Sequence, residues 1–367
     1  EPASPTVSRP PRRPWFPIVT TILGGVGVLG VLAVPELERN LKQWILAAIT
    51  LLVVGLNLLW FLLTPRFPWR TRLAGLAVLA LLALGLKLMV RVKGTMDGTG
   101  LPRLAWKWSG ARAGLVVPPL LAGTEPIADD SRLSQAAEVP QFFGPQRDGT
   151  VTGAKLSRDW STRPPKELWR QPVGEGWSAF AVVGGLAFTQ EQRGDDELVS
   201  CYHLFTGQLR WAHSDKARFS QWQSGDGPHA TPAVGGGRVY AYGGTGLSTC
   251  LDSATGQLVW QRSVLAENQL SNLEWGLSAS PLLVDDMVIV TGGNTKGPVL
   301  FAYQRDTGTP VWKTGDDQAT YASPLLATLA GKRVILCNHA RALAGHDPAT
   351  GAVLWEHAWG NAKWPKA

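Results

Sequence analysis

The chain has 367 residues, 45% of them hydrophobic, and a formal net charge of +7. The charge is uneven: Glu1–Arg112 holds 14 Lys/Arg against 4 Asp/Glu, and the remainder 21 against 24. The basic excess lies around apolar runs, where Lys and Arg flank membrane spans, so it argues against a nucleic-acid partner, and three scattered cysteines exclude a disulfide framework or a zinc site.

Three apolar runs come first, Phe16–Val34, Trp44–Leu63 and Leu73–Val90, each close to the ~20 residues a helix needs to cross hydrocarbon. Lys87 alone is charged within them and lies near enough to an end to snorkel. Trp15, Trp44, Trp60, Trp69, Trp106 and Trp108 stand at or near the run ends, as interfacial aromatics do. The first run lacks a small-residue cleavage site, so it reads as a retained span. Asn57 reads as an interhelical hydrogen-bond donor. "GGVGVLG" (24–30) lies inside an apolar span, which excludes a phosphate loop.

These runs define a membrane domain over 1–93. A Gly-, Pro- and Ala-rich tether is expected over 94–139, within which "PRLAWKW" suits a membrane surface. Flanking charges tie at six on each side. Arg9, Arg12 and Arg13 before the first span favour that end in the cytoplasm, which places the chain beyond the third span in the periplasm of a bacterial inner membrane.

From Trp169 the sequence changes to short β-type runs punctuated by Gly. "FTGQLRW" (205–211), "DSATGQLVW" (252–260), "DTGTPVW" (306–312) and "PATGAVLW" (348–355) each place a Trp four residues after a Thr-Gly. Ahead of three of them stand "ATPAV" (230–234), "ASPLL" (279–283) and "ASPLL" (322–326); the first unit has "SAFAVVGG" (178–185) instead. Four short antiparallel strands per ~40–50 residues is the period of a propeller blade. The Gly supplies a left-handed turn, the Thr hydroxyl bonds local backbone, the Trp fills the space between blades, and the Pro opens a strand where its missing N–H costs least. Five residues before each Thr the side chain is small, namely Cys201, Cys250, Ala302 and Gly345. The two cysteines therefore read as packing residues. All four repeat Trp residues are expected to be largely buried.

The repeat, clearest in "CLDSATGQLVW", resembles the pyrroloquinoline-quinone-type propeller repeat shared by quinoprotein alcohol dehydrogenases and the propeller lipoprotein of the outer-membrane β-barrel assembly machinery. The likeness runs from about Leu168 to Trp355. "PQFFGPQRDG" (140–149) resembles the segment leading into such propellers in membrane-tethered bacterial members. The fold expected over 140–367 is thus an all-β propeller of four recognisable blades, preceded by three transmembrane helices. Trp169 looks like a fourth strand without its blade, so the ring is expected to be incomplete and the chain a fragment.

The resemblance implies, for the dehydrogenases, an adjacent Cys-Cys disulfide, a Trp stacked on the quinone, a Ca²⁺ held by Glu, Asn and Asp, and an Asp base. This chain has no Cys-Cys pair, and its acidic pairs at 195–196, 285–286 and 316–317 sit at turns. Neither pyrroloquinoline quinone nor calcium is expected. Function is expected on one rim, where the longer loops carry Arg193, Asp195, Trp222, Asp226, His229, Trp275, Asn294, Asp317 and Tyr321. A non-catalytic scaffold that binds a protein or small ligand on this face is the reading. A membrane-bound quinoprotein dehydrogenase and a ligand-sensing propeller are the rivals.

Overall fold

The computed structural model describes residues 15–65, 67–95, 102–108, 137–150, 152 and 156–358. The chain divides into two compact units, Glu1–Ser109 and Gly110–Ala367. Most of the 94–139 tether, and the charges Arg9, Arg12, Arg13 and Arg66, lie outside the described residues.

Among its described residues the first unit holds three helices, α1 (Trp15–Leu32), α2 (Arg39–Leu63) and α3 (Trp69–Met89), all long and apolar enough to cross a membrane. α1 and α3 bury none of their residues within the protein. A helix that is apolar all round and buries nothing in protein has lipid as its natural solvent. α1 and α2 pack closely at Gly24, which faces Val53. Between them Thr20 Oγ1 donates to Asn57 Oδ1 at 3.1 Å, while Asn57 Nδ2 turns back to the Val53 carbonyl at 2.8 Å. Asn57 thus stands at the helix pair as expected, but it is its Oδ1 that meets Thr20, whose hydroxyl is also 3.1 Å from the carbonyls of Phe16 and Pro17. Strand β1 (Val90–Thr95) follows α3 directly and pairs antiparallel with β2 (Pro102–Trp106), which falls inside the stretch read as a tether.

Among its described residues the second unit is a β-propeller of four four-stranded antiparallel blades. Blade 1 comprises β3 (Ala181–Val183), β4 (Leu186–Arg193), β5 (Asp196–His203) and β6 (Leu209–Asp215). A small hairpin, β7 (Ser220–Gln221) with β8 (Gly225–Asp226), precedes blade 2: β9 (Ala233–Gly235), β10 (Arg238–Tyr242), β11 (Leu247–Asp252) and β12 (Leu258–Ser263). After the short α4 (Val264–Glu267) come blade 3, with β13 (Leu282–Val284), β14 (Met287–Thr291), β15 (Leu300–Gln304) and β16 (Pro310–Thr314), and blade 4, with β17 (Leu325–Leu329), β18 (Lys332–Asn338), β19 (Ala342–His346) and β20 (Val353–Ala358). The first strands touch in series, β3 to β9 to β13 to β17.

Each blade solves the same packing problem in the same way. Cys201, Cys250, Ala302 and Gly345 pair directly with Trp211, Trp260, Trp312 and Trp355, and the ladder slips by one residue just after each pair. The indole then turns onto the Thr-Gly glycine of the following blade: Trp169 on Gly207, Trp211 on Gly256, Trp260 on Gly308 and Trp312 on Gly351. At Gly256 φ is +72°, and a Cβ would come 2.6 Å from the Trp211 ring, so both conformation and space require glycine. The first three of these indoles donate to the carbonyl two residues before the Thr, those of Leu204, Ser253 and Arg305, at 2.7–3.0 Å.

Burial of the repeat Trp residues is uneven. Trp211 and Trp260 are buried, but Trp312 and Trp355 are half-buried. The reason is positional: among the described residues no further turn glycine covers Trp355, and Trp312 lies against the last described blade.

A second device was not visible in the repeat. Ala179 N donates to Thr231 Oγ1 (3.2 Å), Thr231 N to Ser280 Oγ (2.9 Å), and Ser280 N to Ser323 Oγ (2.9 Å). The hydroxyl residue before each Pro thus ties its blade to the preceding one. Segment 139–149 packs along the same inner strands: Val139 bridges Val182, the Pro140 carbonyl accepts from Val234 N (2.7 Å), and the buried Arg147 donates to the carbonyls of Pro281 (2.7 Å) and Ser280 (3.2 Å).

Candidate functional site

The loops leading into the first strands and those joining second to third strands do form one rim. The β14–β15 loop touches the loops before β13 and β17, through Asn294 N to the Ser271 carbonyl (2.8 Å) and a bridge between Gly297 and Asp317. Three groups of side chains occupy this rim.

The first is aromatic. Trp222, at the tip of the β7–β8 hairpin, is 55% exposed, and Trp177, just before blade 1, is 67% exposed. Trp177 N donates to the Pro228 carbonyl (2.9 Å), and its ring covers Gly225, so both residues belong to one surface. Next to Trp222, Gln223 Oε1 accepts from Trp275 Nε1 (3.4 Å), and Trp275 stacks on Tyr321 with centroids 5.2 Å apart. The Tyr321 hydroxyl also accepts from Trp275 N (3.2 Å).

The second group is ionic. Arg218 Nη2 donates to Asp226 (3.1 Å), which also accepts from Ser220 Oγ (2.6 Å), while Asp195 stands 3.9 Å from Arg218. The third is a buried carboxylate: Asp317 accepts from His339 Nδ1 (2.6 Å) and from Arg341 through N (3.0 Å) and Nε (3.2 Å). Desolvation pushes the Asp317 carboxyl up, but the hydrogen bonds from His339, Gln318 N and Arg341 outweigh it and hold it below its ordinary value.

Of the nine residues expected on this face, three are withdrawn from it. The Arg193 side chain is 6% exposed and paired with Glu191 (2.8 Å), because β4 and β5 are buried on both faces. Asp317 and Tyr321 are buried under Arg341 and Trp275. Asp195 and Trp222 are accessible, and Asp226, Trp275 and Asn294 partly so. His229 is half-buried edge-on to Phe219, and desolvation lowers its pKa to about 4.

Among the buried acids missed are Glu191 and Glu197. Glu191 Oε1 accepts from Ser200, Arg193 and Tyr202, and Oε2 from Gly174 N. Glu197 lines a small polar cavity with Gln190, Asp215 and Thr249. Desolvation raises its pKa to about 7; the Gly244 N–H opposes the shift and the Asp215 charge adds to it. The signal for both was the polar run "QEQRGDDE" between strands that otherwise read as buried.

Residues 195–363, just under half of the chain, match the family model described as outer membrane protein assembly factor BamB. The blades are pyrroloquinoline-quinone-type repeats. Solved structures similar to these repeats include BamB from Moraxella catarrhalis, 21% identical with a TM-score of 0.37, covering 52% of this chain and 54% of that one. The quinohemoprotein alcohol dehydrogenase from Comamonas testosteroni is 15% identical with a TM-score of 0.49, covering 63% and 43%. The chain therefore spans about half the length of these structures. No curated protein sequence matches it.

Proposed function

We propose that this protein is a membrane-anchored propeller that acts as a non-catalytic scaffold, presenting its loop rim to a protein partner on the periplasmic side of a bacterial inner membrane. The observation that carries the reading is the exposure of Trp177 and Trp222 on one rim of a rigid propeller. Rigid aromatics ringed by polar groups are what protein interfaces favour, since a large ring buries much area with little entropy lost. Of the ionisable residues on the rim, Arg218 and Asp226 serve each other, and Asp317 serves His339 and Arg341. The assembly-factor description of the matching family points the same way.

The residues present do not fit pyrroloquinoline quinone. A planar, multiply charged quinone needs a stacking ring together with unengaged cations and a metal to polarise it. Arg147 spends its guanidinium on the Ser280 and Pro281 carbonyls, and Arg193 is bound to Glu191. Among the described residues no three His, Cys, Asp or Glu side chains converge as metal ligands. We therefore propose that these blades hold neither the quinone nor calcium.

The test is a photo-crosslinking amino acid at Trp222, compared with one at Gln257 on the opposite rim, in cells expressing the full chain. A discrete protein adduct from position 222 alone is expected, and it should disappear when Trp177→Ala is added. Stoichiometric micromolar binding of the quinone with Ca²⁺, or alcohol oxidation with an artificial acceptor, would replace the scaffold with the dehydrogenase.

A further inference from the structure

The hairpin that closes the first unit has a chemistry of its own. α3 runs for 21 residues, or ~31 Å at 1.5 Å per residue, about the thickness of the hydrocarbon core. β1 begins at the next residue, with no linker. β2 is fastened back to the helix end, where Lys107 N donates to the Met89 carbonyl (2.7 Å) and Lys107 Nζ to that of Lys87 (2.8 Å). These bonds use carbonyls that a helix C-terminus leaves unsatisfied. They also hold the hairpin against the last turn of α3.

The register then sorts its side chains. Val90 pairs with Trp106 and Val92 with Leu104, which puts all four on one face; Arg91 pairs with Ala105, which puts Arg91, and Arg103 two residues before Ala105, on the other. On the apolar face Val92, Leu104 and Trp106 are 55%, 62% and 51% exposed. Trp108 continues that face and stacks on Trp106, with centroids 5.3 Å apart. A two-stranded ribbon is marginal in water, and exposed aliphatic and indole groups make it worse. Laid in the boundary between acyl chains and headgroups, the same ribbon buries its apolar face and keeps its cations among phosphates.

We infer that β1–β2 is an interfacial membrane-binding hairpin whose ligand is anionic phospholipid. Val92, Leu104, Trp106 and Trp108 enter the acyl boundary, and Arg91 and Arg103 meet the phosphates. The occupant is lipid and not a second protein because the hairpin grows directly from the span and is bonded to its last turn. The inference rests on the membrane reading of α1–α3, and its test separates the two.

The full chain is placed in phosphatidylcholine nanodiscs with or without phosphatidylglycerol, carrying a nitroxide at Leu104→Cys, at Arg103→Cys or, as reference, at Leu52→Cys in α2. The three native cysteines are buried and do not compete for label. Collision with oxygen and with a soluble nickel chelate reports depth. Positions 52 and 104 are expected to favour oxygen, and position 103 nickel. Position 104 open to nickel while position 52 favours oxygen overturns the hairpin and leaves the spans intact. Position 104 shielded from both reagents means that protein covers the face, and also overturns it. Position 52 open to nickel removes the membrane reading and this inference with it. In native mass spectrometry, Arg103→Gln should cut the phosphatidylglycerol-to-phosphatidylcholine retention ratio about five-fold, as expected for one interfacial cation, and Lys332→Gln on the propeller should not. Equal ratios for Arg103→Gln and the unaltered chain overturn the anionic preference.

Discussion

Beneath the propeller rim Glu197 is buried and His229 half-buried, and desolvation works on them with opposite signs. The Glu197 carboxyl titrates near 7 in the folded protein against an ordinary 4.5, so between those values the native state holds a proton that the unfolded chain has lost. Its contribution is complete below pH 4.5 and is lost as pH rises toward 7, by up to about 3 kcal/mol. His229 titrates near 4 against an ordinary 6.5; its contribution is complete above pH 6.5 and is lost as pH falls toward 4, by a similar amount. In the unaltered protein the two slopes offset each other between pH 4.5 and 6.5. Glu197→Gln should therefore gain stability relative to the parent as pH rises from 4.5 to 7, and His229→Gln should lose relative stability as pH rises from 4 to 6.5. Thermal midpoints measured from pH 4 to 8 would show this. Profiles that run parallel to the parent's for both variants would rule out the assignment.

At the scale of the strand and turn, the blade is held by two linkages, of which the sequence announced one. The Thr-Gly turn and its Trp were legible because they demand residues few others replace: a left-handed glycine, and a ring large enough to fill the gap to the next blade. The hydroxyl relay was not legible, since Thr231, Ser280 and Ser323 stand beside prolines that already explain the landmark, and any small residue would suit the space. The candidate site divides in the same way. Trp222 and Asp226 were found because loop residues are exposed by default. Arg193 was misplaced and Glu191 missed because the depth of β4 and β5 depends on neighbouring chain that strand periodicity does not report. The relay carries a prediction. Ser280→Ala leaves the buried Thr231 N–H without its acceptor and should cost roughly 1–3 kcal/mol, whereas Ser280→Thr keeps the oxygen and should cost less. Denaturant midpoints would measure both. An alanine variant as stable as the threonine one would show that the relay adds nothing.

For the whole molecule, the deciding quantity is which side of the membrane faces which solvent. On the membrane reading proposed above, α1–α3 alternate the chain across the bilayer, so residues before α1 and the α2–α3 loop share one side, and the α1–α2 loop and β1–β2 share the other. Charge alone ties: Arg9, Arg12, Arg13, Arg66, Arg70 and Arg72 stand against Arg39, Lys42, Arg91, Lys93, Arg103 and Lys107. Arg72 closes the α2–α3 loop by donating to the carbonyls of Thr64 (2.7 Å) and Phe67 (3.1 Å), while Lys107 is bound to the end of α3. What separates the two sides is the first span, whose leading segment has three arginines and whose trailing loop carries Glu36 and Glu38 beside its cations. The first span usually sets orientation, and positive charge stays in the cytoplasm. Alkaline phosphatase fused after Pro140 should therefore be active and a fluorescent cytoplasmic reporter there dark, with the reverse after Phe67. If the pattern inverts, the propeller faces the cytoplasm. The interfacial hairpin would survive that result, because anionic lipid is available there too, but the periplasmic partner would not.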